Sequence, residues 1–201
     1  MKFCSYLLVL VFTFASAIVF APANVNGDII EFIAEGTAGT GLLAGNIAPS
    51  TSSTGSGAIG NGGIFFDTDT NELTVDILWG SENGFSDLTG DVILLHLHGP
   101  VDPGQSGWGQ VNTNILVQMQ NSLNFDSSGS GGSLVETFFL DDQQEEWLLD
   151  SRTYINVHTD LYPTGEIRGY LTNTSAVPEP ASVVLLVGLA GTFLIRRRRL
   201  S

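Results

Sequence analysis

The chain has 201 residues, of which 21 are acidic, 7 are basic and one is cysteine. Lys2 and Arg196 to Arg199 account for five of the seven basic residues, and Glu179 is one of the acids. Residues 24–176 therefore carry 20 acids against 2 bases, a net charge of −18. A surface this anionic repels nucleic acid and anionic lipid, which excludes both as partners of the body of the protein.

The first 23 residues predict an export signal. Lys2 supplies a positive start, residues 6–20 form an apolar stretch, and Ala21-Pro22-Ala23 places small residues at the positions of a signal-peptidase site. We expect a helical leader over residues 1–23 that is cleaved after Ala23, with Ala17 as the alternative. Cys4 lies inside this leader, so the mature chain has no disulfide and no thiolate site.

The body of the chain predicts β-structure throughout, because short apolar or alternating runs recur between Gly, Asn, Asp and Ser. In one such run Leu73, Val75, Ile77 and Trp79 alternate with their neighbours, as in a half-buried strand. Many short strands favour a single antiparallel β-sandwich or Greek-key barrel, an all-β fold. The predicted strands are 29–34, 63–66, 72–79, 92–98, 114–120, 134–140, 153–158 and 166–171.

The segments between these strands predict turns, loops and one helix. Residues 67–71, Asp-Thr-Asp-Thr-Asn, are typical of a hairpin turn. Residues 49–62 and 126–133 are rich in Gly, Ser and Thr, so we expect two surface loops. Residues 141–150 predict a helix, with acids in the first turn and Trp147, Leu148 and Leu149 on one side.

The C-terminal residues 177–201 predict a processing signal and not part of a domain. Pro178-Glu179-Pro180 precedes an uncharged run over residues 181–195, which four arginines, Arg196, Arg197, Arg198 and Arg199, then end. As a helix this run spans about 22 Å, short of the hydrocarbon core of a bilayer. The arginines favour a cytoplasmic end, which places the body outside.

This tail resembles the PEP-CTERM sorting signal of Gram-negative bacteria. The resemblance implies a short transmembrane helix held transiently in the inner membrane and removed by an exosortase-type sorting enzyme. It also implies a mature protein at the cell surface or in the extracellular matrix.

Two segments of the body resemble the CHRD domain, a β-rich module found repeated in chordin and singly in bacterial secreted proteins. The first is His96-Leu97-His98-Gly99-Pro100, and the second runs from Tyr154-Ile155-Asn156-Val157-His158-Thr159 to Gly165-Glu166-Ile167-Arg168-Gly169. The resemblance covers about residues 27–173 and implies a β domain. It assigns no activity.

The three histidines are candidate metal ligands. His96 and His98 lie two positions apart in a predicted strand and therefore project to one face, and His158 lies in another strand. Three imidazoles can hold Zn²⁺ or Cu²⁺, and we expect Glu166 or Asp160 as a fourth ligand. The alternative is that each histidine makes structural hydrogen bonds through its ring nitrogens.

Other motifs favour structural roles. Glu166 and Arg168 share a strand face and predict an internal ion pair, or a clamp on backbone carbonyls that locks the last strand. Residues 67–71 resemble the start of a calcium loop, but Glu72 and Leu78 stand where an EF-hand needs Gly and Glu, so a hairpin is favoured. The H-x-H strand is similar to that of copper/zinc superoxide dismutase. The two-metal site of that enzyme needs six histidines and an aspartate, and this chain has three histidines, so we do not expect dismutase activity.

The sequence contains no nucleophile motif and no phosphate loop, so we expect a protein that is not an enzyme. The favoured function is a secreted, surface-sorted structural or binding module, with exopolysaccharide or a surface protein as partner. One alternative is metal binding or a metal-dependent function on His96, His98 and His158. Another is a protein-recognition module with an exposed apolar patch or strand edge.

Overall fold

The computed structural model describes residues 27–174 except 48, 50, 103, 105–107 and 110–112. The expected leader helix and the short membrane helix of the tail lie outside these residues. Within the described part, no helix is long and apolar enough to cross a membrane.

The described part of the chain forms one antiparallel sheet of eleven strands and a single α-helix, as the all-β expectation required. The helix α1 spans Asp142–Leu149. The strands are β1 (Ile29–Gly36), β2 (Gly39–Thr40), β3 (Leu42–Leu43), β4 (Ser56–Asp67), β5 (Glu72–Trp79), β6 (Val92–Gly99), β7 (Asn114–Gln118), β8 (Phe125–Ser128), β9 (Gly131–Phe139), β10 (Thr153–Thr159) and β11 (Ile167–Asn173).

The main path of the sheet runs in the order β7-β6-β10-β11-β1-β4-β5-β9-β8, and β2 and β3 pair beside it. The sheet curves back on itself, so that the start of β6 lies beside the β8–β9 turn. The backbone N–H of Val92 in β6 donates to Gly129 O in that turn at 3.1 Å. Leu88 N donates to Ser130 O of the same turn at 3.0 Å. This closure is consistent with a sandwich.

One hydrophobic core fills the inside of the curved sheet. Period-two alternation directs side chains inward from strands far apart in the order, such as Trp79 on β5 and Leu97 on β6. Leu148 of α1 joins the same cluster. Asp141 is the N-cap of α1. Its carboxylate accepts from Gln143 N and Gln144 N, and the Gln144 side chain accepts from Asp141 N, which completes a capping box.

Two expected surface loops are in fact strands. Residues 56–62 belong to β4, and residues 126–133 form β8, a turn and the start of β9. Glycine misled the prediction at β4 because it serves close backbone approach there. A Cβ at Gly57 would lie 2.5 Å from Leu78 O on the paired strand β5.

The predicted hairpin turn agrees with the structure, whereas the predicted strand 114–120 ends at Gln118 because Met119–Asn121 form a 3-10 helix. Residues 67–71 close the β4–β5 hairpin, and Asp67 Oδ1 accepts from Asp69 N at 2.8 Å and from Thr70 N at 3.3 Å. This side-chain turn is the hairpin that was favoured over a calcium loop.

Candidate metal centre

The three histidines lie on the face of the sheet opposite the hydrophobic core. Strands β6 and β10 pair antiparallel, with His96 opposite Asn156 and His98 opposite Tyr154. Leu95 and Leu97 point into the core, so the alternating histidines point the other way. On β10 the core residues Ile155 and Val157 likewise leave His158 on the histidine face.

The imidazole rings converge at this face. His96 Nδ1 lies 3.1 Å from His158 Nε2, and His98 Nε2 lies 3.4 Å from the same atom. One nitrogen from each ring lies within 4.8 Å of the others. Each histidine is no more than 4% exposed.

Two of the three separations fit metal coordination. A tetrahedral metal with bonds of 2.0–2.1 Å to imidazole nitrogens requires about 3.3 Å between any two of them. The distances from His158 Nε2 to His96 Nδ1 and to His98 Nε2, 3.1 and 3.4 Å, lie close to that value. The third separation, between His96 and His98, lies within 4.8 Å.

Backbone carbonyls fix the tautomer of two rings. His98 Nδ1 lies 3.0 Å from Thr113 O, and His158 Nδ1 lies 2.9 Å from Pro163 O. Because a carbonyl only accepts, each Nδ1 carries the proton and donates it. Each Nε2 is then a lone pair directed at the cluster, the outer-contact pattern of metal-ligating histidines.

The Nε2 atoms of His98 and His158 therefore face each other as two acceptors. Two lone pairs at 3.4 Å cannot hydrogen-bond to each other, and a cation between them would remove the conflict. His158 Nε2 is further crowded by Asn156 Nδ2 at 3.3 Å. The lone pair of His158 Nε2 can accept from Asn156 Nδ2 or from His96 Nδ1, whereas the lone pair of His98 Nε2 faces another acceptor.

Burial keeps these rings neutral. Desolvation lowers the pKa of His98 to about 4 against the raising effect of the bond to Thr113 O, and the charges of His96 and Arg168 add smaller lowering effects. Burial likewise lowers the pKa of His158 to about 4. It also lowers the pKa of His96. Neutral imidazole is the form that binds metals.

An aromatic layer lies beside the histidines. The Tyr154 ring stacks on His98 with centroids 5.0 Å apart and planes at 6°. The guanidinium carbon of Arg168 lies 4.1 Å from the centroid of the Tyr154 ring, a cation–π contact. The Tyr154 hydroxyl accepts from Thr113 N, and the Tyr170 hydroxyl accepts from Gly109 N, both at 3.0 Å. These bonds hold the segment between β6 and β7 against the aromatic layer.

Sequence reasoning missed Tyr154 and Asn156 as neighbours of the histidines. The signal was present, because both residues alternate with the apolar Ile155 and Val157 and so share the face of His158. Their polarity in a strand that is buried at every position marked that face as a polar, covered layer.

The expected fourth ligands lie elsewhere. Among the described residues, the group that could hold a metal consists of His96, His98 and His158 alone. The Glu166 carboxylate accepts from the hydroxyls of Ser53 and Thr159 and from Thr89 N. The Asp160 carboxylate accepts from Asp91 N at 2.9 Å. The structure therefore assembles the three histidines without either acid.

Glu166 and Arg168 are both fully buried, and their ion pair stays a prediction. Burial alone raises the pKa of the Glu166 carboxyl, but its bonds from Ser53, Thr89 and Thr159 outweigh this effect and the net pKa is lowered. Glu166 thus joins the segment before β6 to the end of β10. The sorting motif Pro178-Glu179-Pro180 and Arg196 to Arg199 lie outside the described residues.

Comparison with protein families gives a match to the CHRD domain over residues 40–171. No curated protein and no solved structure gives a significant match. The matched range includes both histidine strands and residues 167–171 of β11. The chain thus belongs to the CHRD family, whose domain is a small extracellular-type β module.

Proposed function

We propose that this CHRD domain binds one divalent transition-metal ion through His96, His98 and His158. It would act as a binding module of the bacterial envelope or extracellular matrix, without a catalytic reaction. The observation that carries the proposal is the facing pair of unprotonated Nε2 atoms of His98 and His158 at 3.4 Å.

The nature of the ligands supports Zn²⁺ or Cu²⁺. Imidazole nitrogen suits these ions, whereas Mg²⁺ and Ca²⁺ prefer oxygen ligands. Burial favours the neutral rings that such ions require, and carbonyl bonds to two Nδ1 atoms hold the rings in place. The metal would join β6 to β10 and so strengthen this part of the sheet.

Metal analysis of the purified protein tests the proposal. The chain has three histidines in all, so a protein made without a histidine tag reports on this site alone. After chelator treatment, we expect one equivalent of Zn²⁺ or Cu²⁺ to bind by calorimetry and Mg²⁺ to give no heat. The His158→Ala variant should lose this binding. A wild-type protein that takes up neither metal would refute the proposal.

We propose further that the domain is exported and displayed outside the cell. The leader over residues 1–23 and the tail over residues 177–201 support this location, and the acidic body suits a solvated surface. The inner membrane would hold the protein only until an exosortase-type enzyme removes the tail. Exopolysaccharide or a surface protein would be the final partner.

The location is tested separately from the metal. Deletion of residues 178–201 should change retention of the protein at the envelope. In a strain without the sorting enzyme, the uncleaved form should accumulate in the membrane fraction. Unchanged processing and location in that strain would overturn this part of the proposal and leave the metal site untouched.

A further inference from the structure

We infer that the metal ion takes its fourth ligand from outside the chain, as a small anion that the Asn156 amide and the charge of Arg168 stabilise. This inference rests on the metal site proposed above and adds a second ligand to it. It concerns a binding site for a small monoanion such as azide, chloride or hydroxide.

The Asn156 amide supplies a directed donor. Its Nδ2 donates to Thr164 O at 3.1 Å, which uses one of its two hydrogens and fixes which end of the amide is nitrogen. The same Nδ2 lies 3.3 Å from His158 Nε2. When a metal occupies the lone pair of that Nε2, the second amide hydrogen loses its acceptor and faces the ligand sphere of the metal.

Asn156 is fully buried, so a lost acceptor is costly. A buried donor without a partner loses its solvation and gains nothing in return. The Asn156 oxygen already has no hydrogen-bond partner among the described residues. A metal-bound anion would accept the second amide hydrogen and so avoid a further unsatisfied group.

The charges around the proposed metal also favour an anionic fourth ligand. Three neutral imidazoles bring no negative charge to a divalent cation, and the described metal-binding group contains no carboxylate. Arg168 adds a positive charge that is felt at the rings, because it contributes to the lowered pKa of both His98 and His158. Buried positive charges this close are stabilised by a negative partner.

Burial limits the size of that partner. His98 is 3% exposed, and Tyr154 stacks on its ring. A large organic acid would have to displace this layer, whereas an ion of one to three atoms needs much less room. The expected ligand class is therefore a small inorganic monoanion.

Azide titration of the Co²⁺-loaded full chain tests the inference. Cobalt replaces zinc in nitrogen sites and gives visible absorption that reports its ligands. We expect saturable azide-dependent shifts in the spectrum, with perchlorate at equal ionic strength as the control for salt. A Co²⁺ spectrum that azide leaves unchanged would overturn the inference while the proposed metal site stands.

Two variants of Asn156 sharpen the test. Asn156→Leu removes the amide at similar volume and should weaken azide binding about tenfold while Co²⁺ still binds. Asn156→Asp places a carboxylate at the same point, and it should bind the metal more tightly and abolish the azide response. Asn121→Leu, at an exposed position, is the matched control and should behave as the wild type.

The outcomes separate the two proposals. Azide affinity unchanged in both Asn156 variants would refute the role of the amide. If the wild type binds no Co²⁺, Zn²⁺ or Cu²⁺, the proposed function fails and the anion site fails with it.

Discussion

His98 and His158 face each other through unprotonated Nε2 atoms 3.4 Å apart, while a backbone carbonyl holds the Nδ1 of each ring. The carbonyls fix the rings in the orientation that brings like lone pairs together. A cation between these two lone pairs would be favourable, since it could bind to both.

The first prediction concerns the replacement of one ring. His98→Phe keeps a ring to stack on Tyr154 but removes the Nε2 lone pair and the Nδ1 bond to Thr113 O, so the metal-free variant should lose about 1 kcal/mol of stability. Zn²⁺ at 100 times its Kd should stabilise the wild type by about 2.7 kcal/mol and the variant not at all. Thermal melts with Zn²⁺ and with chelator measure both effects. A similar shift in the variant would contradict a role for His98.

The second prediction concerns pH. The folded pKa values of His98 and His158, about 4, lie below the unfolded value near 6.5, so the unfolded state binds more protons between these limits. Stability of the metal-free protein should therefore fall as pH drops from 6.5 towards 4, on the order of 3 kcal/mol for one ring. Urea unfolding at several pH values measures this loss.

The control for pH is the double variant His98→Phe/His158→Leu. The carboxylates and His96 are the same in both proteins, so the difference between the two curves isolates His98 and His158. Parallel curves would show that the rings keep ordinary pKa values.

The third prediction concerns Gly165, which lies beside Asn156. Its φ is +120°, and an added Cβ would lie 2.2 Å from Asn156 Oδ1. Gly165→Ala should therefore cost about 1–3 kcal/mol and also weaken metal binding, because Asn156 must shift towards His158. Gly84→Ala is the matched control, since Gly84 has φ +84° and no heavy atom near an added Cβ. Equal metal affinity in the two variants would count against the coupling.

The fourth prediction concerns Glu166. Its buried carboxylate accepts from Ser53, Thr89 and Thr159, so Glu166→Gln should cost about 2 kcal/mol at pH 7. The lowered pKa means that this stability is present above the unfolded pKa of 4.5 and is lost as pH falls further. Exposed Glu31→Gln is the control, and denaturant unfolding is the measurement. A cost no greater than that of the control would argue against this anchor.

Alternation made much of the fold predictable. The bounds of β5 were predicted correctly, and those of β6 and β10 to within one residue, because polar and apolar side chains alternate there or bulky apolar residues cluster. Strands β2 and β3 were missed because each has only two residues, too few to show a periodic pattern of polar and apolar side chains. Glycine and serine in β4 and β8 resemble a loop in composition.

The candidate site was predictable in part for the same reason. The spacing of His96 and His98 placed them on one face, but their meeting with His158 depends on β6 pairing with β10 over 60 residues of sequence. The choice of Glu166 or Asp160 was wrong because both carboxylates are hydrogen-bonded elsewhere, that of Glu166 to Ser53, Thr89 and Thr159 and that of Asp160 to Asp91 N. Such long-range side-chain contacts have no periodic signal in the sequence.

Every residue of β10 is buried, with Ile155 and Val157 in the core and Asn156 and His158 on the opposite face. A slip of one residue in the pairing of this strand would exchange the two faces and place imidazole among apolar side chains. The positions of the core residues and of the histidines are therefore coupled through a single alignment. Metal uptake would then report that β6 and β10 have paired correctly, and a misaligned chain would be recognisable by its failure to bind.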